Sequence, residues 1–401
     1  MRSAAHGLSA EAACGSRREG GFYLLETLIA MSLMLVVTAG IFSLMNPAQG
    51  NFSAEPEISD MQQRLRVGAD QLYKDLVMAG NGAYQGSLHG SLLYFFTPVM
   101  PFRQGTVSDD PPGTFKTDTI TLMYVPPTYA QTSLATHGPS LNSAEIGVNQ
   151  EPGCPSGDPL CGFKTGMTVL MYDDSGNFDV FSITNVQGSA LHLQHNSDNL
   201  TYTNYDPGTT KIVQANYYEY YLKTDNANGV YQLMFYDGSP NPDTPIVDNV
   251  VGLTFDYYGD PQPPVVKSGS GTTASPWITT YGPAPKGNTD NCVFTFGGGP
   301  TATPRMADLG PANTSLVKLT AAQLTDGPWC PSDTNANRYD ADLLRIRKIG
   351  VTLRVQAALA ALRGPASALF SHGGTSNGGS KWVPDQEIRF MVSPRNLNLG
   401  R

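Results

Sequence analysis

Residues 22–45, FYLLETLIAMSLMLVVTAGIFSLM, form a run of 24 positions that carries a single charge, Glu26. Wound as a helix the run measures about 36 Å, enough to cross the ~30 Å hydrocarbon core of a bilayer. Arg17 and Arg18 stand just before it, and no basic residue follows until Arg64. By the positive-inside rule the N-terminus is expected to be cytoplasmic and the roughly 350 residues after the span to be exported.

Glu26 is the anomaly in this run. A carboxylate within a span costs about 2.5–3.5 kcal/mol at the bilayer centre on insertion scales, and such groups pair with a cation. A secretory signal peptide carries small residues at a cleavage site after its apolar region. Here Gly20 and Gly21 come before it. A lipoprotein reading would use Cys14, but no apolar run precedes that cysteine. Cleavage after Gly21 would instead leave Phe22 as a new N-terminus still attached to its helix, with Glu26 as its fifth residue. The free amine, on the same or a neighbouring chain, is the natural partner for the carboxylate.

Gly21-Phe22-x-x-x-Glu26, followed by the apolar run and preceded by basic residues, resembles the class III signal of type IV prepilins. The resemblance implies that a prepilin peptidase cuts between Gly21 and Phe22, that Phe22 is N-methylated, and that Glu26 registers the subunit during filament assembly. Arg17 and Arg18 match the basic leader. Later segments, RLRVGADQLYKDLVMAGNGAY, PIVDNVVGLTFDYYG, IRKIGVTLRVQA and IRFMVSPRNLNL, resemble PilW-type minor pilins, and the J-type pseudopilin of type II secretion shares the early pattern. Implied partners are other major and minor pilins, the peptidase, the inner-membrane assembly platform and the lipid bilayer. The implied place is the bacterial inner membrane, with a periplasmic head that enters a pilus after processing.

The rest of the chain fits an α+β head. Ile58, Met61, Leu65, Ala69, Leu72, Leu76 and Ala79 recur at helical spacing, ended by Gly80-Asn81-Gly82. Gly40, Pro47 and Gly50 predict a break between this amphipathic helix and the span. Period-two patterns from residue 90 onward predict antiparallel strands at 91–97, 118–125, 167–172, 178–186, 211–223, 229–236, 246–258, 343–356 and 386–393. Few charges (15%), 42 glycines and 30 prolines agree with a loop-rich β protein. Stretches 126–165, 260–335 and 362–382 read as irregular, exposed insertions. The expected organisation is a leader at 1–21, an anchor helix at 22–45, an amphipathic helix segment at 46–82 and a β-rich head at 83–401.

Beyond Cys14, four cysteines fall in the exported part: Cys154, Cys161, Cys292 and Cys330. Two disulfides are expected in an oxidising compartment. Three connectivities are possible, with 154–161 and 292–330 favoured because each pair lies within one loop-like region.

No motif of a hydrolase, nucleotide or metalloprotease site is present, so neither an enzyme nor a cofactor is expected. Asp173, Ser175, Asn177 and Asp179 alternate as in a calcium loop. Phe178 and Thr184 occupy the positions where the glycine and bidentate glutamate belong, so a hairpin turn is the better reading. His192 and His195 fall on opposite faces of a strand and make no metal pair. Tyr217, Glu219 and Tyr221 share one strand face and Tyr218, Tyr220 and Leu222 the other, as a covered sheet or, less simply, a sugar-stacking or subunit surface. Arg345, Arg347, Lys348 and Arg354 make a short basic strip, but 34 acidic against 25 basic residues oppose a nucleic-acid partner. The expected function is therefore structural, in priming, assembling or capping a type IV pilus. The alternatives are a type II secretion pseudopilin, or an uncleaved membrane-anchored periplasmic enzyme or carbohydrate-binding protein.

Overall fold

The computed structural model describes residues 24–83, 90–105, 109–135, 145–150, 154, 156–158, 160, 162–188, 190–194, 201–202, 204–225, 229–239, 242–311, 315–363, 376–377, 380–381 and 383–399. A single helix, Leu24–Met78, opens the described chain. It runs through Gly40, Pro47 and Gly50, where the sequence predicts a break. An interior proline removes one backbone hydrogen bond and crowds the carbonyl four residues earlier, at a cost of about 3 kcal/mol, but it can bend a helix without ending it.

The C-terminal half of the helix is held by burial. Met61, Leu65, Ala69, Leu72, Leu76 and Ala79 are all buried, and Ile58 packs against them half-buried. At Gly68 the helix backbone approaches the sheet so closely that a Cβ would lie 2.8 Å from Leu353 Cδ2 and 3.3 Å from Val247 Cγ2. The helix ends at Gly80, in the left-handed region at φ 78°. Its N–H donates to Met123 O (2.9 Å), and the Asn81 side chain donates to Val125 O (2.5 Å), so the exit is tied to a neighbouring strand.

The body consists of three larger antiparallel sheets. The first orders Val99–Met100, Thr119–Tyr124, Asn216–Asp225, Val230–Tyr236 and Thr244–Asp248. The second orders Val317–Lys318, Val250–Gly259, Ile346–Val355 and Gln386–Val392. The helix packs on both, and they share one core with it. The third sheet has six strands, Gln131–Ser133, Lys211–Gln214, Thr168–Tyr172, Phe178–Gln187, Ala190–Gln194 and Glu145–Gly147 in that order. It builds a smaller core of its own from residues that include Leu134, Ile146, Val169, Met171, Phe181 and Ile212.

Single residues carry the chain between sheets. The expected strand 211–223 divides at Ala215: Lys211–Gln214 belongs to the six-stranded sheet and Asn216–Asp225 to the first. The expected strand 246–258 divides at Asn249, whose φ of 60° turns the chain from the first sheet into the second. Asparagine adopts this left-handed conformation more readily than other residues with a Cβ. Its side-chain oxygen accepts from Arg363 Nη2 (3.0 Å).

Two further expectations are corrected. Residues 91–97 form no strand: Ser91 caps a 3-10 turn, Leu92–Tyr94, accepting from Leu93 N (3.2 Å), and an unbroken apolar run carries no period to tell the two apart. The 260–335 stretch is not simply exposed, since Tyr281, Val293, Phe294, Met306, Leu319 and Leu324 are buried in the main core. Short two-stranded ladders and a disulfide joining Cys292 to Cys330 organise it.

Candidate functional site

Leu24–Ser43 is the feature with the clearest chemical consequence. Its mean hydropathy is 2.1 and none of it is buried against the rest of the protein. Leu24, Met34, Leu35 and Val36 each expose 70% or more of their surface. Twenty helical residues span about 30 Å, so the segment is long and apolar enough to cross a membrane. An apolar face of this extent exceeds the patches that soluble monomers leave in water, and lipid or other apolar helices would satisfy it.

Glu26 lies in the first turn of this described helix and is exposed. Among the described residues no cation pairs with it. Three side-chain hydroxyls of the segment are used inside it: Thr27 donates to Leu24 O (2.9 Å), Ser32 to Ile29 O (2.8 Å) and Thr38 to Met34 O (2.7 Å). Glu26 is therefore the one acidic group on an otherwise apolar surface. Arg17, Arg18, Gly21 and Phe22 lie outside the described residues, as do His195 and Cys161. Cys154 is disulfide-bonded, but its partner lies outside them too.

The other candidate clusters are absorbed by the fold. The loop at Asp173 is a hairpin turn joining Thr168–Tyr172 to Phe178–Gln187. Asp173 Oδ1 accepts from the backbone N–H groups of Ser175 (2.8 Å) and Asn177 (3.1 Å), and Oδ2 accepts from the Asn177 side chain (2.8 Å). Asp179 points elsewhere, accepting from Tyr205 (2.9 Å), Thr201 and Asn337. Burial pushes its carboxyl up to about 7.

Both faces of the tyrosine strand are covered. On one, Tyr220 and Tyr124 donate to the buried Asp75 of the helix, which also accepts from Gln71 (3.0 Å). On the other, Glu219 is fully buried and accepts from Arg103 Nε (3.0 Å), Gln104 N (2.7 Å) and Tyr217 (3.0 Å). Arg103 also pairs with Asp243 at 3.0 Å and lies 3.9 Å over the Tyr221 ring. Burial, reinforced by Glu219, raises nearby Asp109 to about 6. Sequence reading did not find this cluster, because Arg103 and Glu219 stand 116 residues apart.

The three arginines of the basic strip are likewise paired within the protein. Arg345 is fully buried, pairs with Asp342 and donates to Pro261 O (3.0 Å) and Ala307 O. Arg347 pairs with Asp260 at 2.7 Å and stacks on Tyr281, and Arg354 pairs with Asp385 at 2.6 Å. These arginines pin the 260–308 stretch and the last strands to the sheet. Asp326, Asp340 and Asp342, not singled out from the sequence, bring carboxylate oxygens within 4.8 Å of one another. Asp340 already accepts from Gly327 N (2.6 Å) and Asp342 N (2.8 Å), capping the turn Ala341–Arg345, so local structure accounts for its position.

Comparison with known proteins gives no match: no family model, curated protein or solved structure is similar to the chain.

Proposed function

We propose that this chain is a prepilin which, once cut after Gly21 and methylated at Phe22, serves as a minor pilin in priming, assembling or capping a type IV pilus. The observation that carries the reading is the division of one helix. Residues 54–79 are built into the head, whereas Leu24–Ser43 has no cover among the described residues. Such a segment suits two successive environments, a bilayer before assembly and the apolar helices of neighbouring subunits afterwards. The head stands on the periplasmic side, where the Cys292–Cys330 disulfide is stable.

Glu26 is the registering group. In an apolar bundle its carboxylate is held by the free amine of an adjacent subunit's N-terminus, and a subunit slipped by a turn loses the pair. The chain needs no catalytic centre for this role. Peptide mass spectrometry of the N-terminus, from membranes with and without co-expressed prepilin peptidase, tests the processing step. N-methyl-Phe22 at the mature N-terminus supports the reading. Retention of Arg17 to Gly21 beside active peptidase overturns it. Glu26→Ala is expected to leave processing largely intact and to remove the subunit from sheared filaments. Normal incorporation of that variant would sink the registering role.

A further inference from the structure

An open cleft of about 570 Å3 lies where three distant parts of the chain meet: the 3-10 turn at Tyr94 and Phe95, the turns at Asp174 and Thr209 that border the six-stranded sheet, and the insertion around Trp277 and Lys286. It is far in sequence from the exposed helix, and nothing in the pilin reading uses it.

Its walls combine ring surfaces with hydrogen-bonding groups. Tyr94, Phe95 and Trp277 are each only partly buried. Trp277 is fixed by its indole N–H, which donates to Gly287 O (2.6 Å), so its ring is held in place before any ligand arrives. Lys211 lies 4.2 Å over the Phe95 ring and pairs with Asp174 at 2.9 Å, which fixes the carboxylate in the same way. Thr209, half-buried, and Lys286, exposed, complete the lining with a hydroxyl and an ammonium group.

The charges of the lining balance: Asp174 stands against Lys286. A cleft with no net charge has no reason to prefer phosphate or another anion. Ring surfaces beside hydrogen-bond donors and acceptors suit a ligand with apolar C–H faces and a rim of hydroxyls.

We propose that this cleft binds a neutral saccharide unit, with the rings of Trp277 and Tyr94 against the sugar face and Asp174, Thr209 and Lys286 at its hydroxyls. The site is independent of N-terminal processing, so it stands or falls separately from the pilus role.

The test is saturation-transfer NMR on the full chain in a zwitterionic detergent without a sugar headgroup. Glucose, galactose, mannose and N-acetylglucosamine are the neutral probes, and glucuronate and inorganic phosphate the anionic ones. At least one neutral sugar should give a saturable signal with Kd at or below ~10 mM. That affinity should fall about tenfold in Trp277→Ala, the loss expected for an aromatic anchor. Should that variant fail to fold, Lys286→Glu, on an exposed side chain, should weaken the same sugar with the thermal transition unchanged. No saturable signal from any neutral probe overturns the proposal. So does affinity unchanged in the folded variant, or tighter binding of glucuronate or phosphate than of every neutral sugar.

Discussion

Residues 24–43 and residues 54–78 belong to one helix and share a wealth of apolar side chains, yet their surroundings are opposite. In the second half the apolar residues form a stripe, and the two sheets cover it. In the first half they surround the helix, and nothing among the described residues covers them. The carboxylates differ in the same way. Asp75 is 1% exposed and accepts from two tyrosines and a glutamine, while Glu26 is exposed with no cation beside it among the described residues. A helix of this kind is stabilised at one end by its own protein and at the other by whatever surrounds it. The same residue type therefore has a folding role in one half and an assembly or membrane role in the other.

The largest contrast is expected for leucines. Leu72→Ala should destabilise the head by about 2–5 kcal/mol, because the site is fully enclosed. Leu33→Ala, at a position 61% exposed, should change head stability by less than ~0.5 kcal/mol. Denaturant titration of the full chain in detergent measures both. Equal losses would show that the first half also packs on the head.

Opening the Cys292–Cys330 bridge by changing both cysteines to alanine should cost about 2–5 kcal/mol, since it closes a 38-residue separation. The loss belongs to the head alone, so membrane retention of the chain should not change in a fractionation assay.

Asp75→Ala should cost about 2–3 kcal/mol by leaving the buried hydroxyls of Tyr124 and Tyr220 without their acceptor. Glu26→Ala should leave the thermal transition of the head where it was. A head destabilised by Glu26→Ala would erase the distinction between the two carboxylates.

A separate effect concerns pH. Asp179 and Asp340 are buried and raised to about 7 in the folded protein, so the folded state holds protons that the unfolded chain releases near the ordinary carboxylate range. Their contribution is fully present below about pH 4 and is lost as pH rises through about 7. Asp179→Asn should flatten that part of a stability-against-pH curve, measured by thermal unfolding between those limits. An unchanged slope would remove Asp179 as its source.

Much of the helix was legible in the sequence, because helical periodicity and a membrane-length apolar run are local patterns. Every residue of the stripe from Met61 to Ala79 is buried, and the helix ends at the glycine that marks its end. The antiparallel character of the strands was legible for the same reason. The pivots at Ala215 and Asn249 were not, since strand period continues across them and only the competition between two sheets divides the chain there. The Arg103–Glu219 cluster and the arginines that hold the 260–308 stretch were equally hidden. A buried arginine and a surface arginine look alike in sequence, and their partners stand up to 140 residues away.

By itself, then, the sequence determined a membrane-length apolar helix with a single carboxylate near its start, a separate amphipathic helix and an antiparallel β body; that the two helices run on as one was not in it. These follow from the spacing of side chains along the backbone. Tertiary structure alone decided which half of the helix is covered, how the strands divide among three sheets, and that the 260–335 insertion has a buried interior of its own. Burial depends on which distant segments meet, and local spacing does not record that.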